Sequence, residues 1–202
     1  MPGSVKKKLL LHICCGPCAV YVVEKLQSEY EVTGFFYNPN IQPSAEYRFR
    51  KGELEKLAET LGWVVVYPPY DPREWFEKAR GMESELERGA RCPVCFRQRL
   101  AAAFRYAREH GIEAVATTLS ISPYKVTEQI NREGIGLERE FGISFLPENF
   151  KKRDGYRIGR RMAKTLGAKH QEYCGCLFSL HQRPRHRPKE GEDTGKSDAH
   201  QG

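Results

Sequence analysis

Short apolar runs alternate along this chain with longer stretches whose apolar residues recur every three or four positions. Lys8–Ile13 (KLLLHI) predicts a buried strand, and Ala19–Ser28 a helix that turns Val20, Val23 and Leu26 inward. Val32–Tyr37 predicts a second strand, ended by the turn signal Asn38-Pro39-Asn40. Ser44 can cap a helix through Leu61, with Leu54, Leu57 and Leu61 on one face. Val64–Tyr67 predicts a third strand, stopped by Pro68-Pro69, and Asp71-Pro72 opens a short helix containing Trp75 and Phe76. Gly81–Ala90 reads as loop or irregular helix. Cys92-Pro-Val-Cys95 then leads into a helix over Phe96–Glu109, which Gly111 can terminate. A fourth strand at Ala114–Thr117 is followed by the polar loop Thr118–Lys125. A helix over Val126–Glu140, breakable at Gly134 and Gly136, leads to a short strand at Ile143–Phe145. Asn149–Tyr156 is a basic loop before a helix over Arg157–Leu166.

Strands separated by helices imply parallel pairing with right-handed crossovers. The expected fold is an α/β three-layer sandwich with a mostly parallel, Rossmann-like sheet. Residues 1–180 are expected to form one domain. The remainder, 181–202, is rich in proline, glycine and charge and is expected to be a disordered tail.

At 40% hydrophobic and 29% charged residues the composition is that of an ordinary soluble protein. No apolar run approaches the roughly 18 residues of a membrane span. Lys6–Lys8 precede Leu9–Leu11, but that apolar run stops at His12, short of the roughly 7–15 residues a secretory signal needs. A cytoplasmic protein is expected. In a reducing compartment, seven cysteines call for a role other than a disulfide scaffold. They fall into three tight groups: Cys14, Cys15 and Cys18; Cys92 and Cys95; Cys174 and Cys176.

The first group follows the first strand, where α/β proteins usually bind ligands and where a phosphate-binding protein would carry a glycine-rich turn. A turn at Gly16-Pro17 can aim both Cys14 and Cys15 into one cavity. Cys92 and Cys95 lie three apart at a helix start, and the helix N-terminus and Arg91 should favour their thiolates. Four such soft ligands suit zinc or an iron–sulfur cluster. Adjacent cysteines are a poor spacing for a zinc knuckle, and seven thiols exceed one closed zinc site. Cys174-Gly-Cys176 can close into a strained, readily reduced disulfide or ligate a further metal ion. Asp71 lies at the same sheet edge as a metal ligand, a proton donor or simply a helix cap. His12 reads as a core residue, and Gly134-Ile-Gly136 is no dinucleotide fingerprint because no strand immediately precedes it.

The formal charge is +7. Five Lys/Arg against four Asp/Glu beyond Leu180 leave about +6 on the part expected to fold. Cations stand beside aromatics at Tyr47–Lys51, at Phe96–Arg99, and at Phe150–Arg153 with Tyr156. Stacking faces next to cations are what binding of an unpaired RNA loop requires.

The ordered segments HICCGPC, YNPNIQPSAEYRFR, RCPVCFRQRL, TTLSISPYK and YCGCLFS resemble the QueH-type epoxyqueuosine reductases from about Leu9 to Leu180. The resemblance implies reduction of the epoxide of epoxyqueuosine at the wobble position of tRNA, the last step of queuosine synthesis. Iron–sulfur chemistry without cobalamin, and an electron donor not yet identified, are part of that implication. By motif, Cys14, Cys15, Cys92 and Cys95 would hold a [4Fe-4S] cluster, with Cys174 and Cys176 as a redox-active pair. An additional mononuclear iron has Cys18, Cys176 and Asp71 as candidate ligands; the division of the thiols stays open, with Cys18 unassigned. The layout is similar to that of the ATP-pyrophosphatase group, but an SGGxDS-type phosphate loop is missing, so ATP is not expected. Two rival readings are a zinc-stabilised tRNA-binding module without catalysis and, disfavoured by the missing ATP loop, a tRNA-thiolating enzyme.

Overall fold

The computed structural model describes residues 5–182. Its centre is β1 (Lys7–His12), paired in parallel with β2 (Tyr30–Phe35) on one side and β4 (Ala114–Thr117) on the other. Two-residue strands, β3 (Val65–Val66) and β5 (Ser144–Phe145), complete an all-parallel sheet in the order β3-β2-β1-β4-β5. A central parallel strand is covered on both faces, which is why Leu9, Leu10 and Leu11 form an unbroken apolar run and are all fully buried. Leu9 and Leu11 pack with α1 (Gly16–Leu26) and α2 (Ser44–Leu61), whereas Leu10 packs with α4 (Arg91–Glu109) and α5 (Thr127–Phe141). Each such side chain contributes about 1.5–3 kcal/mol by leaving water. The outcome is the expected three-layer sandwich. Short helices α3 (Arg73–Ala79), α6 (Gly155–Thr165) and α7 (Leu177–His181) complete it.

The departures from expectation have local causes. Helix α1 begins at Gly16 rather than Ala19, because Pro17 sits in its first turn with φ already set for a helix. This puts Cys18 inside the helix. At Gly16 a Cβ would lie 2.8 Å from Leu57 Cδ1 and 3.3 Å from the Glu53 carbonyl oxygen, so only glycine lets α1 approach α2. Helix α4 starts at Arg91 and takes Cys92 and Cys95 into its first turn. Helix α5 is continuous through Gly134, where a Cβ would fall 2.3 Å from the Phe145 ring; that glycine serves close packing on β5, not a break. Part of the expected polar loop, Thr118–Ile121, is a 3-10 turn, and α7 follows Cys176 where the sequence predicts no helix. Most of the expected C-terminal tail, from residue 183 on, lies outside the described residues. Among the described residues, no helix is long and apolar enough to cross a membrane.

The chain leaves β1 toward β2 on one side and returns at β4 on the other. The loops after β1 and β4 therefore diverge, and a crevice opens at their carboxyl ends.

Candidate metal centre and substrate cleft

The loop from β1 into α1 fills this crevice with thiols. The sulfurs of buried Cys14, Cys15 and Cys18 all lie within 4.8 Å of one another, with Cys14 and Cys15 3.8 Å apart. A tetrahedral ion with metal–sulfur bonds of about 2.3 Å separates its thiolates by roughly 3.8 Å. Thr118, just after β4, ties the crevice shut: its hydroxyl accepts the Cys14 N–H at 3.2 Å and reaches Cys14 Sγ at 3.4 Å. Gln171 Nε2 donates to Cys15 Sγ at 3.0 Å. Hydrogen bonds from Cys15 and Cys18, then the charges of Lys125 and Arg99, hold the Cys14 thiol well below its ordinary pKa. Burial pushes Cys15 up to about 12, and hydrogen bonding to its two neighbours pushes Cys18 up as well. Without a metal the triad thus concentrates its negative charge on Cys14.

Cys92 and Cys95 are presented by the first turn of α4. The Arg88 backbone N–H donates to Cys92 Sγ at 3.2 Å. One turn on, Arg99 lies 3.9 Å from Cys95 Sγ and donates to Asn38 Oδ1 at 2.5 Å. The expected thiolate preference of this pair is overturned: burial raises both, Cys95 to about 11. Arg91 does not offset it, because its guanidinium turns away to the Met82 and Glu83 carbonyls and covers the Phe178 ring.

The last cysteines arrive on a strap, Tyr173–Cys176, with no strand or helix of its own. Buried Arg50 on α2 fastens it, donating to the Tyr173 and Cys174 carbonyls at 2.9 and 3.2 Å while pairing with Glu46 at 2.7 Å. The Gln42 N–H donates to the Gly175 carbonyl at 2.7 Å, and the Tyr173 hydroxyl donates to the Gln42 carbonyl. Gly175 has φ of 105°, and a Cβ there would meet Ile41 Cγ1 at 2.8 Å and Arg50 Nη1 at 3.1 Å. Hydrogen bonding from Cys176, then the charge of Lys125, lowers the Cys174 pKa to about 5, and Cys176 is raised as its partner. This is a thiolate–thiol pair. All seven cysteines are free.

Two adjoining cavities collect these cysteines except Cys15, which lines neither. One is lined by Cys92, Cys95, Cys174 and Cys176, with Trp75 and Lys125. The other, about 450 Å³, is lined by Cys14, Cys18, Cys174 and Lys125, with Tyr124 and Tyr156 at its wall. Cys174 and Lys125 belong to both. Burial opposes the charge of Lys125, but the Cys14 and Cys174 thiolates outweigh it and raise its pKa. The first cavity also has buried polar atoms without partners: Trp75 Nε1, Arg99 Nε, Asn40 Oδ1 and Gln129 Oε1. A dry cavity would strand such groups at about 1–3 kcal/mol each.

Asp71 lines neither cavity. Its exposed carboxylate accepts the Arg73 N–H at 3.0 Å and pairs with the Arg73 guanidinium at 2.6 Å, which holds it at about 2. His12 is a buried core residue bonded to Thr117 Oγ1 at 2.8 Å, with its pKa lowered to about 3, mainly by burial. Sequence reasoning missed Lys125, Arg50, Thr118 and Gln171 as parts of the site. Lys125 and Thr118 stood inside the TTLSISPYK segment, and Arg50 inside a basic–aromatic cluster, so the signal was present without its meaning.

An all-parallel α/β sandwich whose switch-point loops carry converging buried thiols defines a cysteine-rich α/β domain, with a Cys14–Cys15–Cys18 triad spaced to hold a metal ion. A family model described as "Epoxyqueuosine reductase QueH" matches residues 9–182. The epoxyqueuosine reductase QueH of Acinetobacter baylyi is 41% identical over 188 residues, covering 92% of this chain and 86% of the relative. That of Haemophilus influenzae is 40% identical over 191 residues, 94% and 76% of the two chains. That of Thermotoga maritima is 35% identical over 178 residues, 87% and 91%. The chain belongs to the QueH family.

Proposed function

We propose that this chain is an epoxyqueuosine reductase acting as a single α/β domain in the cytoplasm, removing the epoxide oxygen of epoxyqueuosine at the tRNA wobble position to give queuosine and water. The observation that carries this reading is the sharing of Cys174 between a thiol-lined cavity and a cleft roomy enough for a nucleoside. Deoxygenation of an epoxide to an alkene takes two electrons and two protons and releases water. Oxidation of Cys174 and Cys176 to a disulfide supplies both electrons and the Cys176 proton. Lys125, cationic beside Cys174, is suited to deliver the second proton. An external reductant must then return the disulfide to the dithiol.

The donor set fits a thiolate-bound metal group. Cys14, Cys15, Cys92 and Cys95 would hold a [4Fe-4S] cluster, and the partnerless Trp75 and Arg99 N–H groups fit the neighbourhood of a sulfur-rich group. When bound, such a cluster supplies one-electron transfer. An additional iron, with Cys18, Cys176 and Asp71 as candidate ligands, would supply a Lewis acid. Asp71 lines neither cavity and its carboxylate is bound by Arg73, so to serve as that ligand it would have to leave Arg73.

One observation favours a second reading. The 3.8 Å Cys14–Cys15 separation suits a single tetrahedral ion, as in a zinc-stabilised tRNA-binding module without catalysis. Anaerobic purification followed by iron, sulfide and zinc analysis separates the two. Iron with sulfide, together with queuosine formed from epoxyqueuosine-containing tRNA by the chemically reduced protein, is the expected result. A colourless protein with zinc alone and no turnover would overturn the reductase reading.

A further inference from the structure

Two of the three basic–aromatic clusters in the sequence are used inside the protein. Arg50 and Arg99 are buried and bond to the strap and to Asn38, while Lys51 pairs with Glu55 and Arg97 with Glu140. In the third cluster Phe150 is buried and Lys151 bonds the Lys125 carbonyl, but Lys152 and Arg153 are exposed and the basic run continues into α6. Residues 151–170 contain eight Lys/Arg and one Asp, a net +7, while the whole chain, 33 basic against 26 acidic, is also +7. The entire charge excess therefore sits in this one segment, and the rest of the chain balances to zero.

The excess is also directed. On α6 the buried residues Gly155, Gly159 and Ala163 form one face; at 100° per residue Arg157, Arg161 and Lys164 fall on the opposite one, and Arg160 on the flank between. Close packing fixes the helix: a Cβ on Gly159 would stand 3.1 Å from Tyr21 Cβ on α1. Arg157 pairs with Asp154 at 2.5 Å, but Arg161 and Lys164 make no ion pair among the described residues. The cationic face runs straight to the substrate cleft, because Tyr156 and Arg160 of the same helix line it together with Cys14, Cys18 and Cys174.

We propose that the outer face of α6 is where the sugar–phosphate backbone of the RNA lies while its target nucleoside enters the cleft. The inference rests on the reductase reading and adds the docking surface to it. Exposed cations that flank a stacking ring beside a nucleoside-sized cleft match a single-stranded anticodon loop, whose phosphates need neutralising and whose bases can be splayed out. A lipid surface is a poor match. The apolar face that such a helix would insert is already packed on α1.

The test is binding of an anticodon stem-loop RNA to the full chain, read by fluorescence anisotropy across a salt series, with KM measured on epoxyqueuosine-containing tRNA. The variant Arg157→Gln/Arg161→Gln/Lys164→Gln is expected to bind roughly 10- to 100-fold more weakly, with a log–log salt slope shallower by about 2–3 and a raised KM. The control Lys25→Gln/Lys56→Gln/Lys78→Gln removes equal charge from lysines that have acidic partners at Glu148, Glu53 and Glu74. It is expected to bind and turn over as the wild type does. Circular dichroism and thermal unfolding confirm that both variants fold. Wild-type affinity in the α6 variant, or equal losses in both, would overturn the surface. A wild-type protein that binds RNA through α6 but forms no queuosine would instead overturn the reductase reading and leave the surface standing.

Discussion

Two cysteine-bearing segments meet at the site, and they are built on opposite principles. Cys14, Cys15 and Cys18 extend the central strand and lead into a helix whose apolar face is buried, so the fold as a whole fixes their sulfurs. Cys174 and Cys176 sit on a strap held by polar contacts to Arg50 and Gln42. The first segment cannot move without the sheet, whereas the second can move at the cost of a few hydrogen bonds of about 1 kcal/mol each. Rigid thiols suit a resident metal group, and thiols on a strap suit a pair that must open and close a disulfide in each turnover.

Substituting one segment and then the other tests this contrast with the largest effect. Cys174→Ser or Cys176→Ser should lower turnover by at least ~10³-fold and leave sulfide content and the cluster's visible absorbance unchanged. Cys14→Ser or Cys95→Ser should remove metal and colour together with activity. Loss of the chromophore in the Cys174 variant would make that residue a ligand and erase the contrast.

Next in size is the strap's fastening. Arg50→Met leaves Glu46 and two carbonyls without their partner, and should cost about 2–4 kcal/mol of stability. It should also loosen the strap, so that amide exchange at Gly175 and Cys176 quickens while β1 amides stay protected. Equal protection in both segments would mean that the strap does not depend on Arg50. Arg50→Lys, keeping the charge without the planar fork, should recover part of the stability but little of the protection.

These differences also explain what could be read in the sequence. The sheet, its helices and the crevice after β1 follow from periodicity and turn residues, because Leu9–Leu11 and the α4 face carry their burial in their own spacing. The grouping of the cysteines was equally visible, as was the switch-point position of the first group. Hidden was everything that depends on segments far apart in sequence. Arg50 reaches Cys174 across 124 positions, and Gln171 reaches Cys15 across 156. Lys125 serves both thiolates only because β4 lies beside β1. The thiolate preference expected for Cys92 and Cys95 failed for the same reason, since burial by distant elements outweighs the local helix end.

A smaller effect distinguishes thiols within the site. In metal-free protein Cys174, with its pKa near 5, should react with iodoacetamide at a nearly constant rate from pH 6 to 9. Cys92, raised by burial, should gain rate throughout that range. Mass spectrometry of the two peptides reads the difference. Lys125→Met removes the shared cation and should move the Cys174 midpoint upward, so that its rate begins to rise with pH as well. An unchanged profile would exclude Lys125 as its electrostatic partner.

The smallest effect concerns the strand that leads into the rigid segment. Buried His12 has its pKa lowered to about 3, first by burial and then by the charge of Arg99, whereas an unfolded histidine titrates near 6.5. Between those values the unfolded chain takes up a proton that the folded protein refuses. Stability should therefore be complete above about pH 6.5 and fall as the pH drops through the window, by up to about 1.4 kcal/mol per pH unit. At pH 5 the loss is about 2 kcal/mol relative to neutral pH. Carboxylates add their own acid sensitivity, so the informative quantity is the difference between wild type and His12→Asn in denaturant midpoints at pH 7.5, 6 and 5. The variant should be the less stable protein at pH 7.5, where the His12–Thr117 hydrogen bond is lost, and the gap should close or reverse by pH 5. A gap independent of pH would mean that His12 takes up its proton in the folded state, and that the strand under the Cys14–Cys18 loop tolerates a charge.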